Sequence, residues 1–309
     1  MPWPDTAFGL ADQAHRVAQR IVAMSDGRIR ISFEAGVADG FAAVRRGDAD
    51  LYFASEHAHV ETHRALAYFA GLPGERAVAP HRLAAWMQVG GGQELWDDLA
   101  GAFGVKAILA GHSGDAPCLL ATRRPEAMKE LAGAPIAVEG LARDVARGLG
   151  MTPRTVDAGG IRQALANGEV LAVEAGGAIT SHALGILKAA PHAAGTSINK
   201  HGSALSLGMS RRFWDGLSPA DQAIFAAAAT AEYHLALAEE STHRRMLLPR
   251  QSANASWPVA QELARTIRRV ADAVVAQVAA TDADSQRINA SFMGFRAAVS
   301  AESDNAVGV

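Results

Sequence analysis

Cysteine, excess basic charge and long apolar runs are scarce or missing in this sequence of 309 residues. A single cysteine, Cys118, excludes an internal disulfide and a cysteine-rich metal site. The formal net charge of −3 provides no basic surface, which excludes nucleic acid as the main partner. No apolar run reaches the length of about 18 residues that a membrane-spanning helix needs.

The first ten residues, MPWPDTAFGL, lack the basic start and the apolar stretch of a signal peptide. The sequence therefore predicts either a cytosolic protein or the mature form of an exported one. One cysteine is compatible with both the cytosol and the bacterial periplasm.

Segments with helical and with strand-like apolar spacing alternate between residues 12 and 174. The first strand is expected at Arg28–Phe33, where apolar and polar residues alternate. Asp39 is placed to cap the helix that follows, and Gly47 stands where a C-terminal cap belongs. This order of elements indicates an α/β protein with largely parallel sheets and helices on both faces. With 49 % apolar residues, the chain has core enough for two domains.

A long helix is predicted after the strand-like run Ala204–Met209. Ser218, Pro219 and Asp221 form an N-terminal capping signal, and no glycine or proline follows until Pro249. A helix of about 30 residues is about 45 Å long, so we expect it to connect two bodies. Its apolar stripe is expected at Ile224, Ala228, Ala231, Leu235 and Ala238.

The residues that follow the predicted strands are the first candidates for a binding site, because α/β sheets place ligands beyond the C-terminal ends of their strands. Ser55, Glu56 and His57 follow one strand, and His112 and Ser113 follow another. A third group, residues 174–177, follows the last strand of the alternating series.

Two catalytic or metal motifs are incomplete. The sequence GHSGD around Ser113 nearly matches the nucleophile elbow G-x-S-x-G, which makes a serine hydrolase an alternative function. Asp115 replaces the last glycine, however, and Pro117 precedes a strand-like run where the elbow requires a helix. His57, His59 and His63 would suit a metal ion only in an extended segment, so no metal site is predicted there.

Three segments resemble the solute-binding proteins of TRAP transporters, the DctP family. They are FAAVRRGDADL at Phe41–Leu51, GGGQELWDDLAGAFGVKAILAGHSG at Gly90–Gly114, and LGMSRRFWDGLSPADQAIFAAAA at Leu207–Ala229. The second segment is similar to the branch that includes 2-oxo-acid binders. Trp3 and Pro4 resemble the end of the family's first strand, so most of that strand is expected to lie outside this sequence.

The resemblance implies an α/β, two-domain fold like the type II periplasmic binding proteins, with hinge segments and one long helix that bridges both domains. The first domain would comprise residues 1–121 and about 205–249, with the bridging helix. The second would comprise residues 122–204 and about 250–309, with the C-terminal helices.

The function implied is that of a periplasmic receptor, not an enzyme. It would close on a small polar metabolite, usually an organic acid, and deliver it to a membrane permease without a cofactor, as a monomer or a homodimer. In the family, an arginine usually holds the ligand carboxylate through two parallel hydrogen bonds.

The pocket positions depart from the family pattern. The expected arginine is Ala137, with Arg123 and Arg143 as the nearest replacements. Ala116 and Lys200 stand where the family has a glutamine and an acidic residue that join a metal site, so we expect binding without a metal. The ammonium of Lys200 is expected to pair with Glu174 or with an anionic ligand. The predicted ligand-binding residues are Glu56, His57, His112, Ser113, Glu174, Ala175, Gly176, Asn199 and Lys200.

These departures leave alternatives open. A receptor adapted to a different ligand is the main hypothesis, and a paralogue that binds no ligand and acts through interactions is the other. Without an arginine in place of Ala137, a cationic or neutral ligand held by Glu56 and Glu174 is nearly as well supported as an acid.

Overall fold

The computed structural model describes residues 1–5, 7–116, 118–174, 176–247 and 257–306. The α-helices are α1 (Ala11–Met24), α2 (Gly40–Arg46), α3 (Ala67–Ala70), α4 (Pro80–Gln88), α5 (Gly92–Gly101), α6 (Ala142–Gly148), α7 (Ile161–Ala166), α8 (Ala178–Ala183), α9 (Ile186–Ala189), α10 (Arg211–Gly216), α11 (Pro219–Leu247), α12 (Ala260–Ala279) and α13 (Ala283–Ala306). The strands are β1 (Leu51–Ala54), β2 (Val105–His112), β3 (Leu120–Ala121), β4 (Pro135–Ala137), β5 (Thr152–Arg154), β6 (Ala172–Val173), β7 (His192–Ala193) and β8 (Ala204–Ser210). Short 3₁₀ helices lie at Glu56–His59, Arg64–Leu66, Gly74–Arg76 and Met128–Leu131.

The first sheet has the strand order β1-β8-β2, and β8 is antiparallel to both neighbours. The expectation of largely parallel sheets is therefore wrong for this sheet. The chain leaves this sheet at the C-terminal end of β2 and re-enters it beside that end, where β8 begins. Strand β8 therefore runs antiparallel to β2. Because β1 and β2 run in the same direction, their C-terminal ends still lie together, beside the start of β8.

The second sheet has the order β5-β4-β6-β3-β7. Strand β4 is parallel to β5 and β6, whereas β3 is antiparallel to β6 and β7. The ends of β4 and β6 therefore lie at one edge, as expected for a parallel pair joined by α6, β5 and α7.

Local capping signals hold as predicted. The Asp39 side chain accepts a hydrogen bond from the amide of Ala42 at 2.8 Å, and Gly47 ends α2 with a left-handed φ of 80°. At the start of α11, the amide of Asp221 donates to Ser218 Oγ at 3.1 Å. These contacts satisfy backbone groups that a helix end leaves without partners.

Helix α11 extends over 29 residues and packs against β2 and α1 on one side and against α8 on the other. It therefore contacts the first sheet through β2 and, through α8, the chain that follows β6 of the second sheet. The predicted apolar stripe was in part the wrong face, because Ala231 and Ala238 are exposed while Glu232 and Glu240 are buried.

The predicted strand at Arg28–Phe33 was wrong, because this segment is irregular. In the part of the chain that the structure describes, no strand lies beside it to supply a row of hydrogen bonds. Backbone pairing begins just after it, where Gly36 donates to the carbonyl of Trp3 and Val37 to that of Met1.

The C-terminal helices complete the core. Helix α12 packs against α6 and against the 3₁₀ helix Gly74–Arg76, and α13 packs against α5. The predicted domain boundary at residues 249–250 lies outside the described residues. No helix within the described ranges is both long and apolar enough to cross a membrane.

Candidate ligand-binding site

Serine side chains join the edge of the first sheet to the segment that returns from the second. Ser55 Oγ lies 2.5 Å from Ser203 Oγ, at the ends of β1 and of the returning segment. The amide of Ser203 donates to Ser113 Oγ at 2.9 Å, and the amide of Ser113 donates to the Ser203 carbonyl at 2.8 Å. The predicted residue Ser113 is therefore held by the backbone, at the place where the chain crosses between the sheets.

The Ser113 hydroxyl lacks the surroundings of a nucleophile. Besides the Ser203 amide, it contacts the carbonyl of Gly114 at 3.4 Å, and no histidine among the described residues hydrogen-bonds it. His112 Nδ1 is instead occupied by the amide of Gly114 at 3.0 Å. The geometry therefore lacks the serine–base pair that a hydrolase needs.

His112 is buried at the end of β2, and its backbone is bound on both sides by one glutamine. Gln13 Nε2 donates to the His112 carbonyl, and the His112 amide donates to Gln13 Oε1, each at 2.9 Å. Burial lowers the pKa of His112 to about 4, against the opposing charge of Asp115. The ring is thus neutral at pH 7 and contributes a polar edge, not a charge.

Glu174 lies just after β6, and its amide donates to the carbonyl of Ala137 at the end of β4, at 3.1 Å. Its carboxylate accepts hydrogen bonds from the amides of Ile198 at 2.5 Å and Asn199 at 2.9 Å. Burial raises the pKa of Glu174 to about 7, although these hydrogen bonds favour the charged form.

Lys200 is exposed, and it forms no ion pair with any residue that the structure describes. Its expected pairing with Glu174 is therefore wrong, because the backbone amides of the preceding two residues satisfy that carboxylate instead. Gly176, also predicted for the site, accepts a hydrogen bond from Ser181 Oγ through its carbonyl at 2.9 Å. The predicted residue Ala175 lies outside the described residues.

His57, which follows β1 of the first sheet, contacts the loop that follows β4 of the second sheet. Gly140, in the loop after β4, has a φ of 57°, and a Cβ placed there would overlap the His57 ring. Both ring nitrogens are buried and without a hydrogen-bond partner among the described residues. Burial lowers the pKa of His57 to about 4, so the ring is neutral at pH 7.

Glu56, in contrast, is directed into the first domain. Its Oε1 accepts hydrogen bonds from Tyr52 at 2.7 Å and from Ser206 Oγ at 2.6 Å. Oε2 is buried without a partner within the described ranges. The hydrogen bonds give Glu56 a structural role in joining β1 to β8.

The comparison with known families identifies the kind of protein. The profile of the bacterial extracellular solute-binding proteins of family 7, DctP, matches residues 11–245. The chain belongs to this family. The resemblance noted in the three sequence segments is thereby confirmed.

Relatives of this DctP-family protein include a monocarboxylate 2-oxoacid-binding periplasmic protein from Nostoc sp. The two are 25 % identical over 302 residues, which cover 95 % of this chain and 82 % of the relative. No closer functional assignment follows from identity at this level.

Solved structures share the fold. A TRAP transporter solute-binding protein from Bordetella bronchiseptica RB50, a dimer with calcium and picolinate, has a TM-score of 0.89 at 20 % identity, covering 99 % of this chain and 94 % of that one. One from Pseudoalteromonas atlantica T6c, with bound sodium and pyruvate, also gives 0.89 at 20 % identity, with 99 % and 95 % covered. The two-domain α/β fold expected from sequence is thus confirmed.

The two candidate arginines of this DctP-family protein differ in their surroundings. Arg123 is exposed and pairs with Glu130 at 3.0 Å. Arg143, in α6, is partly buried, and its Nε has no partner among the described residues. Its backbone amide donates to the carbonyl of Gly140 at 3.2 Å, and its charge opposes the rise that burial causes in the pKa of Glu139. Both arginines are candidates from the sequence, and the structure distinguishes them because Arg143 is the more buried of the two.

The pH dependence of stability tests whether the Glu174 carboxyl is buried. The pKa of its carboxyl rises from 4.5 to about 7 in the folded protein. Below pH 4.5 the group is protonated in both states. As the pH rises toward 7, the unfolded chain loses the proton first, so the free energy of unfolding falls, by at most about 3 kcal/mol.

We expect Glu174→Gln to remove this decline, which urea unfolding between pH 4 and 8 would measure. His57 and His112 act oppositely: their pKa falls from 6.5 to about 4, so their contribution is present above pH 6.5 and is lost on acidification. Both proteins contain these histidines, so the difference between the two curves isolates Glu174. Parallel curves would contradict the burial of this carboxyl.

Proposed function

We propose that this protein is a TRAP-type solute receptor that binds a small monocarboxylic acid between its two domains and delivers it to a membrane permease. It acts in the periplasm, and no bond is made or broken. Ligand binding favours the closed arrangement of the domains, and the permease responds to that arrangement.

The observation that carries the proposal is the buried Nε of Arg143, which has no hydrogen-bond partner among the described residues. A buried guanidinium N–H without a partner is unfavourable, and a ligand carboxylate would supply one. The names of the relatives support this assignment, since one binds 2-oxo monocarboxylates and another holds pyruvate.

The ligand is proposed to bind without a cation, although two of the similar structures hold sodium or calcium. Among the described residues, no three His, Cys, Asp or Glu side chains are placed to share a metal ion. Both oxygens of Glu174 already accept amide hydrogen bonds, and the neighbouring Lys200 carries a positive charge. These side chains do not fit a cation site.

The test is a thermal-shift screen of monocarboxylates, with each hit measured by calorimetry. A ligand at 100 times its dissociation constant raises the free energy of unfolding by about 2.7 kcal/mol, which a melting curve resolves. We expect at least one monocarboxylate to bind, with a dissociation constant that changes less than twofold between sodium, potassium and EDTA-containing buffers.

Two outcomes would count against the proposal in different ways. Binding that disappears in EDTA or without sodium would overturn the cation-independent mechanism while leaving the receptor intact. A well-folded protein that binds no acid, with or without calcium, would favour the interaction paralogue.

A further inference from the structure

An imidazole ring, that of His57, lies at the contact between the two domains. The residue follows β1, and its ring lies against Gly140 in the loop after β4. Gly140 has a φ of 57°, and a Cβ built there would lie 2.4 Å from His57 Nδ1, so the loop has no room for a side chain at this point. His57 is only 4 % exposed. The loop therefore covers the ring, and a separation of the domains would expose it to water.

The covered ring has a preferred protonation state, because it lacks polar partners. Both of its nitrogens are buried and have no hydrogen-bond partner among the described residues. A neutral imidazole leaves one donor and one acceptor unsatisfied, whereas an imidazolium leaves two donors and a charge. Burying an unpaired charge is much the more costly of the two. The contact with Gly140 therefore favours the neutral ring, and a protonated ring favours separated domains, in which water solvates the charge.

No charge among the described neighbours of His57 offsets this preference. Its 3₁₀ helix packs against α3, β8 and the 3₁₀ helix Arg64–Leu66, and the loop after β4 covers its ring. The charged and titratable side chains on these elements and beside Gly140 are those of Glu56, His59, Arg64, Tyr68, Glu139 and Arg143. Burial alone lowers the pKa of His57 from 6.5 to about 4.

We propose that His57 makes closure of the receptor dependent on pH, because its protonation on acidification separates the domains and releases the ligand. This inference rests on the proposed receptor function, which supplies the closed and the open arrangement. The ligand favours the closed arrangement and the proton favours the open one. Each therefore weakens the binding of the other by the same factor.

The size of the effect follows from the pKa of the ring in the two arrangements. An exposed histidine has a pKa near 6.5, and burial lowers the pKa of the covered ring to about 4. At pH 7.5 the ring is neutral in both arrangements, so the contact with Gly140 forms without loss of a proton. At pH 5 the exposed ring is almost fully protonated and the covered ring is not, which favours the open arrangement by about thirtyfold. Below pH 4 both rings are protonated, and the effect grows no further.

Calorimetric titration of the complete protein tests this coupling. The probe is pyruvate, or the tightest monocarboxylate of the screen if pyruvate does not bind. Glu174 and His112 also have shifted pKa values, so the contribution of His57 is the difference between the wild type and His57→Gln, which share both groups. Between pH 7.5 and pH 5, we expect the dissociation constant to rise by a factor at least tenfold larger in the wild type than in His57→Gln.

Proton release gives a second readout from the same titrations. Buffers with different ionisation enthalpies report how many protons leave the protein for each ligand bound. At pH 5.5 the wild type should release about 0.9 proton more than His57→Gln, because the ring loses its proton when the loop covers it. An equal number of protons in the two proteins would contradict the proposal.

Two further variants separate the titration of the ring from its packing. His57→Phe keeps a ring at the contact with Gly140 but does not titrate, so it should show the same weak pH dependence as His57→Gln. His81→Gln is the matched control, because His81 is exposed in α4, and it should keep the wild-type pH dependence. The same ratio of dissociation constants at the two pH values in all four proteins would overturn the inference and leave the receptor function standing.

Small-angle X-ray scattering without ligand distinguishes a failure of this inference from a failure of the proposed function. We expect the radius of gyration of the wild type to increase between pH 7.5 and pH 5, and that of His57→Gln to stay the same. If no acid binds, the receptor function fails, and this expansion alone would still support the role of His57. If no acid binds and the radius of the wild type is also unchanged, both proposals fail.

Discussion

Replacing Arg143 by alanine is expected to raise the dissociation constant of the bound acid at least a hundredfold. The substitution would leave the ligand carboxylate buried without its charged partner, a loss of about 3 kcal/mol or more. Calorimetric titration with the tightest acid from the screen measures this directly. Arg143→Lys should recover only part of the affinity, because an ammonium cannot form two parallel hydrogen bonds to a carboxylate.

Arg123→Ala provides the matched control for this prediction. Arg123 lies in the same domain, but it is exposed and paired with Glu130, so its removal should change the dissociation constant less than twofold. Wild-type affinity in a folded Arg143→Ala protein would show that another group binds the carboxylate. A large effect of Arg123→Ala would instead place the carboxylate-binding group at Arg123, after β3.

The second large effect concerns stability. Glu232, in α11, is completely buried, and its carboxylate binds Arg16 Nη2 at 2.5 Å and also binds Arg20. Removing one partner of a buried ion pair leaves the other charge uncompensated, which costs about 3–5 kcal/mol. Arg16 and Arg20 are each about 30 % exposed, so the lower value, about 3 kcal/mol, is expected for Glu232→Ala.

Urea unfolding measures this change through a lower transition midpoint. Arg28→Ala is the control, because Arg28 and Asp221 also join the N-terminal part of the chain to α11, but on the surface. We expect no measurable shift for this exposed pair. Arg16 also pairs with Glu239 at 3.0 Å, so equal midpoints for Glu232→Ala and the wild type would mean that Glu239 and solvent compensate the two arginines without Glu232.

The local signals in the sequence predicted helix boundaries well, and burial patterns less well. Asp39 and Ser218 cap their helices because the capping geometry depends on a few neighbouring residues. The buried face of α11 was placed partly wrong because hydropathy assigns carboxylates to the surface. Glu232 is buried by pairing with two arginines, and Glu240 by accepting the amides of Ala178 and Ile179. Such partners are distant in sequence.

The candidate site could be outlined but not completed from the sequence. The positions of the predicted strand ends identified His57, His112 and Glu174, because ligands of α/β sheets bind beyond the C-terminal ends of the strands. Which of Arg123 and Arg143 could bind the ligand carboxylate depended on how deeply each is buried. The residues next to them in the sequence do not indicate that. Lys200 was expected to pair with Glu174 because their charges are opposite, whereas the backbone amides of Ile198 and Asn199 bind that carboxylate. Main-chain donors have no signature in a sequence.

The Gln13 side chain that holds the backbone of His112 also has a consequence for the behaviour of the protein in concentrated solution. Strand β2 lies at an edge of its sheet, and an edge with free amides and carbonyls can pair with a strand of another molecule. Gln13 occupies both backbone groups of His112, and Gln93 Nε2 donates to the carbonyl of Ala107 on the same strand at 2.8 Å. These two side chains occupy backbone groups with which a strand of another molecule would otherwise pair.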